Sequence, residues 1–394
     1  MAPPHSSIEK TTLTDERRGR RFLLFLLVTA VASIGAGCGT NSSPARPSAV
    51  EKTLTTKPWC QAKQDAAWNS VRTNHVVALS RRVSVAPIAV ADGRSFYAEI
   101  HSKRYSGIVK IDARTSRYTR IRPDRYGVVG SADKRWFVWA DQINGYGATR
   151  AIWAWDSRSG RLRRISGSVR TRNGDWVSAS DPAARDGYVT WSQSTSAGPG
   201  TEVHVVDLAT GRDSIISRGS ASEPFLLPGH VVAWTENVSS SSKTPTYVLR
   251  AANAVTGKRV ALVKGVRNLR GDAVVTLLSD GAGYLYTARP MWGSLWWSPS
   301  LNLSARRVFT AAHNNWIDNS LQFAGRYIFF SSWGSGFLVD VASGRYLRLS
   351  ASVNAVLNDE AIVLEAPNRL KKLNPVSDVT FLPLGSVPPI PACR

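Results

Sequence analysis

The chain has 394 residues, of which 43% are apolar, and its 50 Lys and Arg against 28 Asp and Glu give a formal net charge of +22. This apolar content excludes a disordered chain and suffices for a large buried core. The 30 Gly and 20 Pro separate short runs of Val, Ile, Tyr and Trp, which indicates an all-β fold with little helix.

Residues 1–37 have the composition of an export signal. Four arginines between positions 17 and 21 precede the apolar run FLLFLLVTAVASI, which is too short to cross a hydrocarbon core about 30 Å thick. The following GAGC, ending at Cys38, resembles the lipobox of bacterial lipoproteins, in which the cysteine is diacylated and becomes the mature N-terminus. Gly35 departs from that motif, where Leu or Val is usual. An ordinary signal peptide is the alternative, and RRFLL also resembles a twin-arginine signal.

The segment after the signal predicts a tethered domain at the extracytoplasmic face of the cell membrane. Residues 38–57 are rich in Ser, Thr and Pro and predict a flexible tether, which leaves 58–394 for the folded domain. If Cys38 carries lipid, the remaining cysteines are Cys60 and Cys393. Two cysteines in an oxidising compartment can pair, and such a disulfide would tie the ends of the domain together. Two unrelated buried thiols are the alternative.

The positive charge belongs to the predicted domain rather than to the signal. Residues 1–37 hold five basic and three acidic residues, so the rest of the chain keeps 45 against 25, a net charge of +20. Outside the membrane this charge would attract phospholipid head groups and anionic cell-wall polymers. Nucleic acid is not expected as a partner at this location. The alternative is that the scattered arginines only solubilise the fold.

A short phrase, Asp/Asn-x-x-Ser/Thr-Gly-Arg/Lys, recurs along the chain. Its glycines are 51, 46 and 87 residues apart, and degenerate copies stand at 112–117 and 301–306. Such a sequence suits a tight hairpin, because Gly accepts positive φ and Asp can bond its own turn. The clear copies are DSRSGR (156–161), DLATGR (207–212), NAVTGK (253–258) and DVASGR (340–345).

Each copy belongs to a repeat of four predicted strands. Seven segments predict a turn that leads into the second strand of such a repeat, and four strands every 40 to 50 residues are typical of a propeller blade. We therefore expect a seven-bladed β-propeller, with six or eight blades as alternatives. The segments are 91–99, 132–141, 185–193, 228–236, 281–289, 324–332 and 358–366.

This pattern resembles the β-propeller superfamily over about residues 58–394, and among its members the TolB-like and PQQ-like repeat propellers of bacterial envelopes. In the quinone-binding repeats a Trp follows the Gly turn. Here the corresponding stretches read GRDSII and GKRVAL. The resemblance therefore implies no quinone, and no cofactor is expected.

Two positions of the second strand carry the candidate core and the candidate site. Aromatic residues four positions into the strand are expected to pack between blades; they are Tyr97, Trp139, Trp191, Trp234 and Phe330. Polar residues two positions further on would lie beside the loops that join second to third strands. We predict that they form a site for a cationic or hydroxyl-rich ligand, with a Trp in the following loop at its rim. The alternative is that they bond neighbouring strands or pair with arginines to hold adjacent blades. The predicted site residues are Glu99, Asp141, Gln193, Glu236, Arg289 and Trp292.

Signatures of catalysis and of metal binding were not found. The sequence contains no G-x-S-x-G motif, and its six His residues lack the spacing of metal ligands. No catalytic residue and no metal site are predicted. The sequence favours a membrane-anchored propeller that binds or scaffolds a protein, a peptide or an envelope polymer. The alternative is an envelope glycan hydrolase or lyase whose carboxylates converge on one face, so the enzyme question stays open, with a non-catalytic role favoured.

Overall fold

The structure is a computed structural model that describes most of residues 59–393. The stretches outside the described part are 80–82, 124–127, 144–147, 167–178, 196–199, 222–223, 239–245, 261–268, 271–273, 280–283, 289–293, 299–305, 311–320, 333–334, 352–353 and 368–376. The predicted signal, the predicted lipidation site Cys38 and the predicted tether also lie outside the described residues.

The described residues form seven antiparallel sheets in which consecutive strands pair in chain order. Sheet 1 contains β2 (Ser84–Asp92), β3 (Ser95–His101), β4 (Ser106–Asp112) and β5 (Tyr118–Pro123). Sheet 2 contains β6 (Val128–Ala132), β7 (Trp136–Ile143), β8 (Ala148–Asp156) and β9 (Leu162–Ser166). Sheet 3 contains β10 (Ala183–Arg185), β11 (Tyr188–Ser194), β12 (Thr201–Asp207) and β13 (Asp213–Gly219). Sheet 4 contains β14 (Phe225–Leu227), β15 (Val231–Asn237), β16 (Thr246–Asn253) and β17 (Leu269–Arg270).

The remaining sheets follow the same order. Sheet 5 contains β18 (Val274–Ser279), β19 (Tyr284–Ala288), β20 (Ser294–Ser298) and β21 (Arg306–Thr310). Sheet 6 contains β22 (Gln322–Ala324), β23 (Tyr327–Ser332), β24 (Ser335–Asp340) and β25 (Arg345–Ala351), with β1 (Cys60–Ala62) parallel to β25. Sheet 7 contains β26 (Asn354–Leu357), β27 (Ala361–Pro367) and β28 (Ser377–Pro383). The predicted all-β class is confirmed, and the four-stranded sheets are consistent with a propeller.

The repeated Gly phrase forms one kind of turn between third and fourth strands. The glycines Gly160, Gly211, Gly257 and Gly344 have φ between +64° and +79°. Each donates its N–H to the carbonyl oxygen of the Asp or Asn that begins the phrase, over 2.7–3.0 Å. In the degenerate copy at 112–117, Ser116 adopts the same left-handed region with φ of 54°. The repeat seen in the sequence is therefore a repeat of backbone geometry, as the turn chemistry predicts.

Apolar clusters join most neighbouring sheets. Separate clusters hold sheets 1 and 2, 2 and 3, 3 and 4, 5 and 6, 6 and 7, and 7 and 1. The predicted aromatic anchors are buried in or beside these clusters, each with no more than 1% of its surface exposed: Tyr97, Trp139, Trp191, Trp234 and Phe330. Their predicted role as core residues is confirmed, because flat side chains fill the space between sheets.

First strands of successive sheets lie side by side: β2 beside β6, then β10, β14, β18, β22 and β26 in turn, and β26 lies beside β2 again. Sheet 7 has three strands of its own, and residues just after the helix α1 (Ala66–Asn74) run antiparallel to its edge. Val77 donates its N–H to the Val379 carbonyl over 2.8 Å, and Phe381 donates to the His75 carbonyl over 3.0 Å. Residues 75–77 thus pair with the outer edge of the last sheet.

A disulfide joins Cys60 to Cys393, with 6.0 Å between the two Cα atoms. Cys60 lies in β1, at the outer edge of sheet 6, and Ala62 forms a β-bridge with Cys393 in the tail that follows sheet 7. The bond therefore ties the N-terminal strand to the C-terminal tail. The two ends of the domain are thus linked covalently, and residues 75–77 connect the N-terminal segment to sheet 7 separately, through hydrogen bonds.

Helix is limited to α1 and one 3₁₀ turn, Leu384–Ser386, in the described part of the chain. Asp65 caps α1 by accepting the N–H of Trp68 over 3.0 Å. Trp68 is 2% exposed and packs against sheets 6 and 7. Within the described residues, no helix has the length and apolar character needed to span a bilayer.

Candidate functional site

The four described residues of the predicted site occupy one repeated position in β3, β7, β11 and β15. These residues are Glu99, Asp141, Gln193 and Glu236. Arg289 and Trp292, also predicted for this site, lie outside the described residues. The position has a local explanation, since the side chain at this point can accept the indole N–H of the aromatic residue two positions earlier. Trp139 Nε1 donates to Asp141 Oδ1 over 3.1 Å, and Trp191 Nε1 lies 3.4 Å from Gln193 Oε1.

Asp141 is the most fully engaged of these residues. It is 3% exposed and accepts further hydrogen bonds from Trp153 Nε1 over 2.9 Å and from Arg122 Nη1 over 2.7 Å. Arg122 belongs to β5 of sheet 1, and its guanidinium lies 4.0 Å from the centre of the Trp153 ring. Asp141 therefore links sheet 2 to sheet 1 through a buried, charge-assisted contact.

The other two carboxylates at this position face basic side chains of the protein. Glu236 Oε2 accepts from Arg250 Nε over 2.9 Å. Glu99 is 6% exposed, and its Oε1 lies 3.2 Å from His101 Nε2. The contacts of Asp141 and Glu236 fit the structural alternative, in which the carboxylates hold strands and sheets together, whereas Glu99 and His101 lie on the same strand. Ligand binding by these residues stays a prediction.

A surface cavity of about 840 Å³ lies at the opposite ends of the strands of sheet 1. It is formed by the turn between β2 and β3, the hairpin of β4 and β5, and the turn that precedes β27 of sheet 7. The cavity therefore lies at the contact between the first and last sheets. Its lining consists of Asp92, Gly93, Arg94, Ser95, Lys110, Asp112, Arg117, Tyr118, Thr119 and Glu360.

The cavity was missed in the sequence because it lies at the turns between first and second strands and between third and fourth strands. The sequence instead predicts a site at the loops between second and third strands. The turn residues ADGR at 91–94 and NDE at 358–360 are visible in the sequence. Their meeting is not, since Gly93 donates its N–H to Glu360 Oε2, 267 positions away, over 2.6 Å.

The carboxylates of the cavity accept hydrogen bonds from the protein itself. Asp92 accepts from Arg94 N over 2.9 Å, from Ser95 Oγ over 2.7 Å and from Lys110 Nζ over 3.1 Å. Burial raises the pKa of Asp92, but these hydrogen bonds outweigh the burial and leave the pKa below its ordinary value. The N–H and hydroxyl of Thr115, at 2.7 and 2.8 Å, lower the pKa of Asp112. Both groups are therefore ionised at neutral pH.

Equivalent turns in two other sheets are closed by ion pairs. In sheet 2, Arg135 donates twice to Asp156, Nε to Oδ1 over 3.0 Å and Nη2 to Oδ2 over 2.7 Å. These bonds from Arg135 hold the pKa of Asp156 far below its ordinary value. In sheet 6, Arg326 Nη2 lies 3.5 Å from Asp340 Oδ2. A bidentate guanidinium to carboxylate pair fixes the geometry of a turn as well as adding attraction.

A second polar cluster lies in sheet 3. The His204 ring stacks on Trp191 with 5.0 Å between centroids and an interplanar angle of 2°. Its Nδ1 lies 3.1 Å from Asp213 Oδ2, and its Nε2 lies 3.6 Å from Glu202 Oε2. In the part of the chain that the structure describes, no group of three or more His, Cys, Asp or Glu side chains is arranged to hold a metal ion.

Comparison with known proteins places the architecture but not the activity. No protein-family model and no curated protein matches the sequence. An oligogalacturonate lyase from Vibrio parahaemolyticus is similar in structure, with a TM-score of 0.51 and 8% identity over 78% of this chain and 92% of the lyase. A puromycin-hydrolyzing peptidase from Mycobacterium tuberculosis gives a TM-score of 0.51 and 11% identity over 84% of this chain.

A further puromycin hydrolase gives a TM-score of 0.50 with 14% identity over 84% of this chain. The chain spans 92% of the lyase but only about half of either hydrolase, 54% and 55%. At these identities the likeness shows the fold alone. The lyase and the hydrolases have β-propeller folds related to TolB-like and PQQ-like repeats.

Proposed function

We propose that this chain is an exported, lipid-anchored β-propeller of seven blades that binds a protein, a peptide or an envelope polymer at the outer face of the cell membrane. The observation that carries the binding role is the cavity of about 840 Å³ between sheets 1 and 7, whose lining is charged and hydroxyl-bearing. Cavities of this size accommodate a small ligand or a short segment of a larger one.

The arrangement of the first strands supports the blade count. Each first strand lies beside that of the next sheet, and β26 returns to β2. His75–Val77 completes the edge of the last sheet, so that the N-terminal part of the domain closes the ring. Seven sheets in such a cycle support a propeller of seven blades over one of six or eight.

The disulfide supports the proposed compartment. Disulfides persist in oxidising surroundings outside the cytoplasm, and Cys60 and Cys393 are bonded to each other. This leaves Cys38, in the lipobox-like GAGC, for the lipid. A lipid at Cys38 would hold the domain near the anionic membrane surface, to which its charge attracts it.

A glycan hydrolase or lyase is the second candidate, since the lyase and the hydrolases that share the fold show that this architecture carries enzymes. Such an enzyme would need two carboxylates free to act on the substrate. Asp141 and Glu236, two of the recurrent carboxylates, are hydrogen-bonded to Arg122 and Arg250. Binding is therefore the role that the geometry supports better.

The anchor is tested by the substitution Cys38→Ala in the full-length protein expressed in a bacterium. Wild-type protein should stay in the membrane pellet after a wash in 1 M salt, where the Debye length is about 3 Å and surface attraction is screened. The Cys38→Ala protein should be released, because a cleaved signal leaves no hydrophobic anchor. Retention of this variant in the washed membranes would refute lipid anchoring.

The choice between binding and catalysis is tested on the released Cys38→Ala protein with envelope polysaccharide fractions. Co-sedimentation without chain shortening supports the binding role. Release of shorter oligosaccharides, lost in a Glu236→Gln variant that keeps its melting temperature, would establish the enzyme instead.

A further inference from the structure

The cavity between sheets 1 and 7 offers a ligand more hydrogen-bond donors than acceptors. Its three carboxylates, Asp92, Asp112 and Glu360, all accept hydrogen bonds from groups of the protein. Lys110, one of the cations in the lining, is already paired with Asp92 over 3.1 Å. The remaining cations of the lining are Arg94 and Arg117.

Arg94 departs from the pattern of its own repeat. Arg94 comes directly before Ser95, which is the strand partner of Asp112. In the same way, Arg135 comes directly before Trp136, which is the strand partner of Asp156. Arg135 uses this position to form a bidentate ion pair. Asp112 instead bonds Thr115, and among the described residues the Arg94 guanidinium has no ion pair.

Arg117 contributes a second guanidinium to the same cavity. It ends the degenerate phrase DARTSR, its backbone carbonyl accepts the N–H of Asp112, and its side chain is exposed. Within the described part of the chain this side chain also has no ion pair. The hydroxyl groups of Tyr118 and Thr119 line the cavity beside it. Two guanidinium groups and two hydroxyl groups are therefore available to one ligand.

We infer that this cavity binds a phosphate group of an envelope constituent, held by Arg94 and Arg117. This inference rests on the proposed binding function and names the chemistry of its ligand. A phosphate offers more acceptor oxygens than a carboxylate, and guanidinium groups match them with two-pronged hydrogen bonds. The cavity exceeds a single phosphate in volume, so the group belongs to a phosphodiester polymer or to a phospholipid head group.

The test compares two double variants that remove the same charge. Arg94→Ser with Arg117→Ser empties the cavity of its spare guanidinium groups. Arg161→Ser with Arg212→Ser removes two arginines that end the same phrase in sheets 2 and 3 and lie outside the cavity. Binding of fluorescein-labelled polyphosphate is measured by anisotropy on the detergent-solubilised full-length protein at 0.15 M salt. The cavity variant should bind at least tenfold more weakly than wild type, and the control within about twofold.

A second pair of measurements identifies the source of the phosphate. The released Cys38→Ala protein is floated with vesicles of phosphatidylglycerol or of phosphatidylcholine. This variant is used because the lipid of the wild-type protein would insert into either kind of vesicle. If the protein floats with phosphatidylglycerol but not with phosphatidylcholine, and flotation is lost when Arg94 and Arg117 are replaced, the ligand is a phospholipid head group. Polyphosphate binding without flotation assigns a soluble polymer.

Three results would overturn the inference. The first is that both double variants bind polyphosphate equally weakly. The second is that a polyuronate binds as tightly as polyphosphate and is lost equally in the cavity variant. The third is that the wild-type protein does not bind polyphosphate. In each case membrane anchoring and polymer co-sedimentation can still hold, so the proposed function is judged separately. Should the Ser variant fail to fold, the double variant Arg94→Lys with Arg117→Lys takes its place. It keeps both positive charges but loses the two-pronged guanidinium donors, so it should bind several-fold more weakly than wild type.

Discussion

The substitution Asp141→Ala tests whether the recurrent carboxylates hold the sheets together. It removes the acceptor of two indole N–H groups, those of Trp139 and Trp153, and of the Arg122 guanidinium. Losing the acceptor costs about 1 kcal/mol for each indole and about 1.5–3 kcal/mol for the charged group, so the free energy of unfolding should fall by about 4 kcal/mol. For a domain of roughly 300 residues this corresponds to a melting temperature lower by about 6 °C.

The matched control is Gln193→Ala, at the same position of sheet 3. Gln193 is half-buried, and its side-chain oxygen accepts one hydrogen bond, from Trp191 Nε1 over 3.4 Å. Its removal should cost about 1 kcal/mol, or roughly 2 °C. Thermal unfolding followed by circular dichroism on the full-length protein measures both. An Asp141→Ala protein that melts within about 2 °C of wild type, yet no longer captures ligand, would refute the structural role and restore the predicted ligand site.

The other predictions concern ring closure and pH. Val77→Pro deletes the N–H that bonds the Val379 carbonyl, whereas Val77→Ala keeps it. The Pro variant should therefore lose about 1–3 kcal/mol more of the free energy of unfolding than the Ala variant. Equal urea midpoints for the two variants would show that residues 75–77 do not close the ring. Because Arg135 holds the pKa of Asp156 below its ordinary value of 3.8, the ion pair stabilises the folded state above that value and loses its contribution as the pH falls through the folded pKa. Asp156→Asn should therefore be less stable than wild type at pH 7, with a difference that shrinks below about pH 4, whereas a constant difference from pH 7 to pH 2 would contradict this account.

The periodicity of the sequence was enough to predict the repeat. Alternating apolar runs located all seven second strands, and the recurrent Gly phrase located the turns between third and fourth strands. Both are local properties, because side-chain alternation fixes which face of a strand is buried and a left-handed turn needs Gly or a tolerant residue. The buried aromatic anchors follow from the same alternation.

The roles of the polar residues two positions after the aromatic anchors became clear only from their contacts with neighbouring strands and sheets. The sequence shows Asp141 as one of several recurrent carboxylates, but Arg122 reaches it from sheet 1 and Trp153 from the next strand of its own sheet. A carboxylate that is buried between such donors and one that faces solvent can occupy the same place in a repeat. Hydrogen-bond partners from another sheet therefore decided what the pattern meant.

The sequence by itself determined the strands, their turns and the anchors between sheets. Tertiary structure alone decided which segment pairs with the edge of the last sheet, namely that around Val77, and where the cavity lies. The physical reason is sequence distance. Strand formation depends on neighbours a few residues apart, whereas Gly93 meets Glu360 only because seven sheets in succession bring the first and last sheets together.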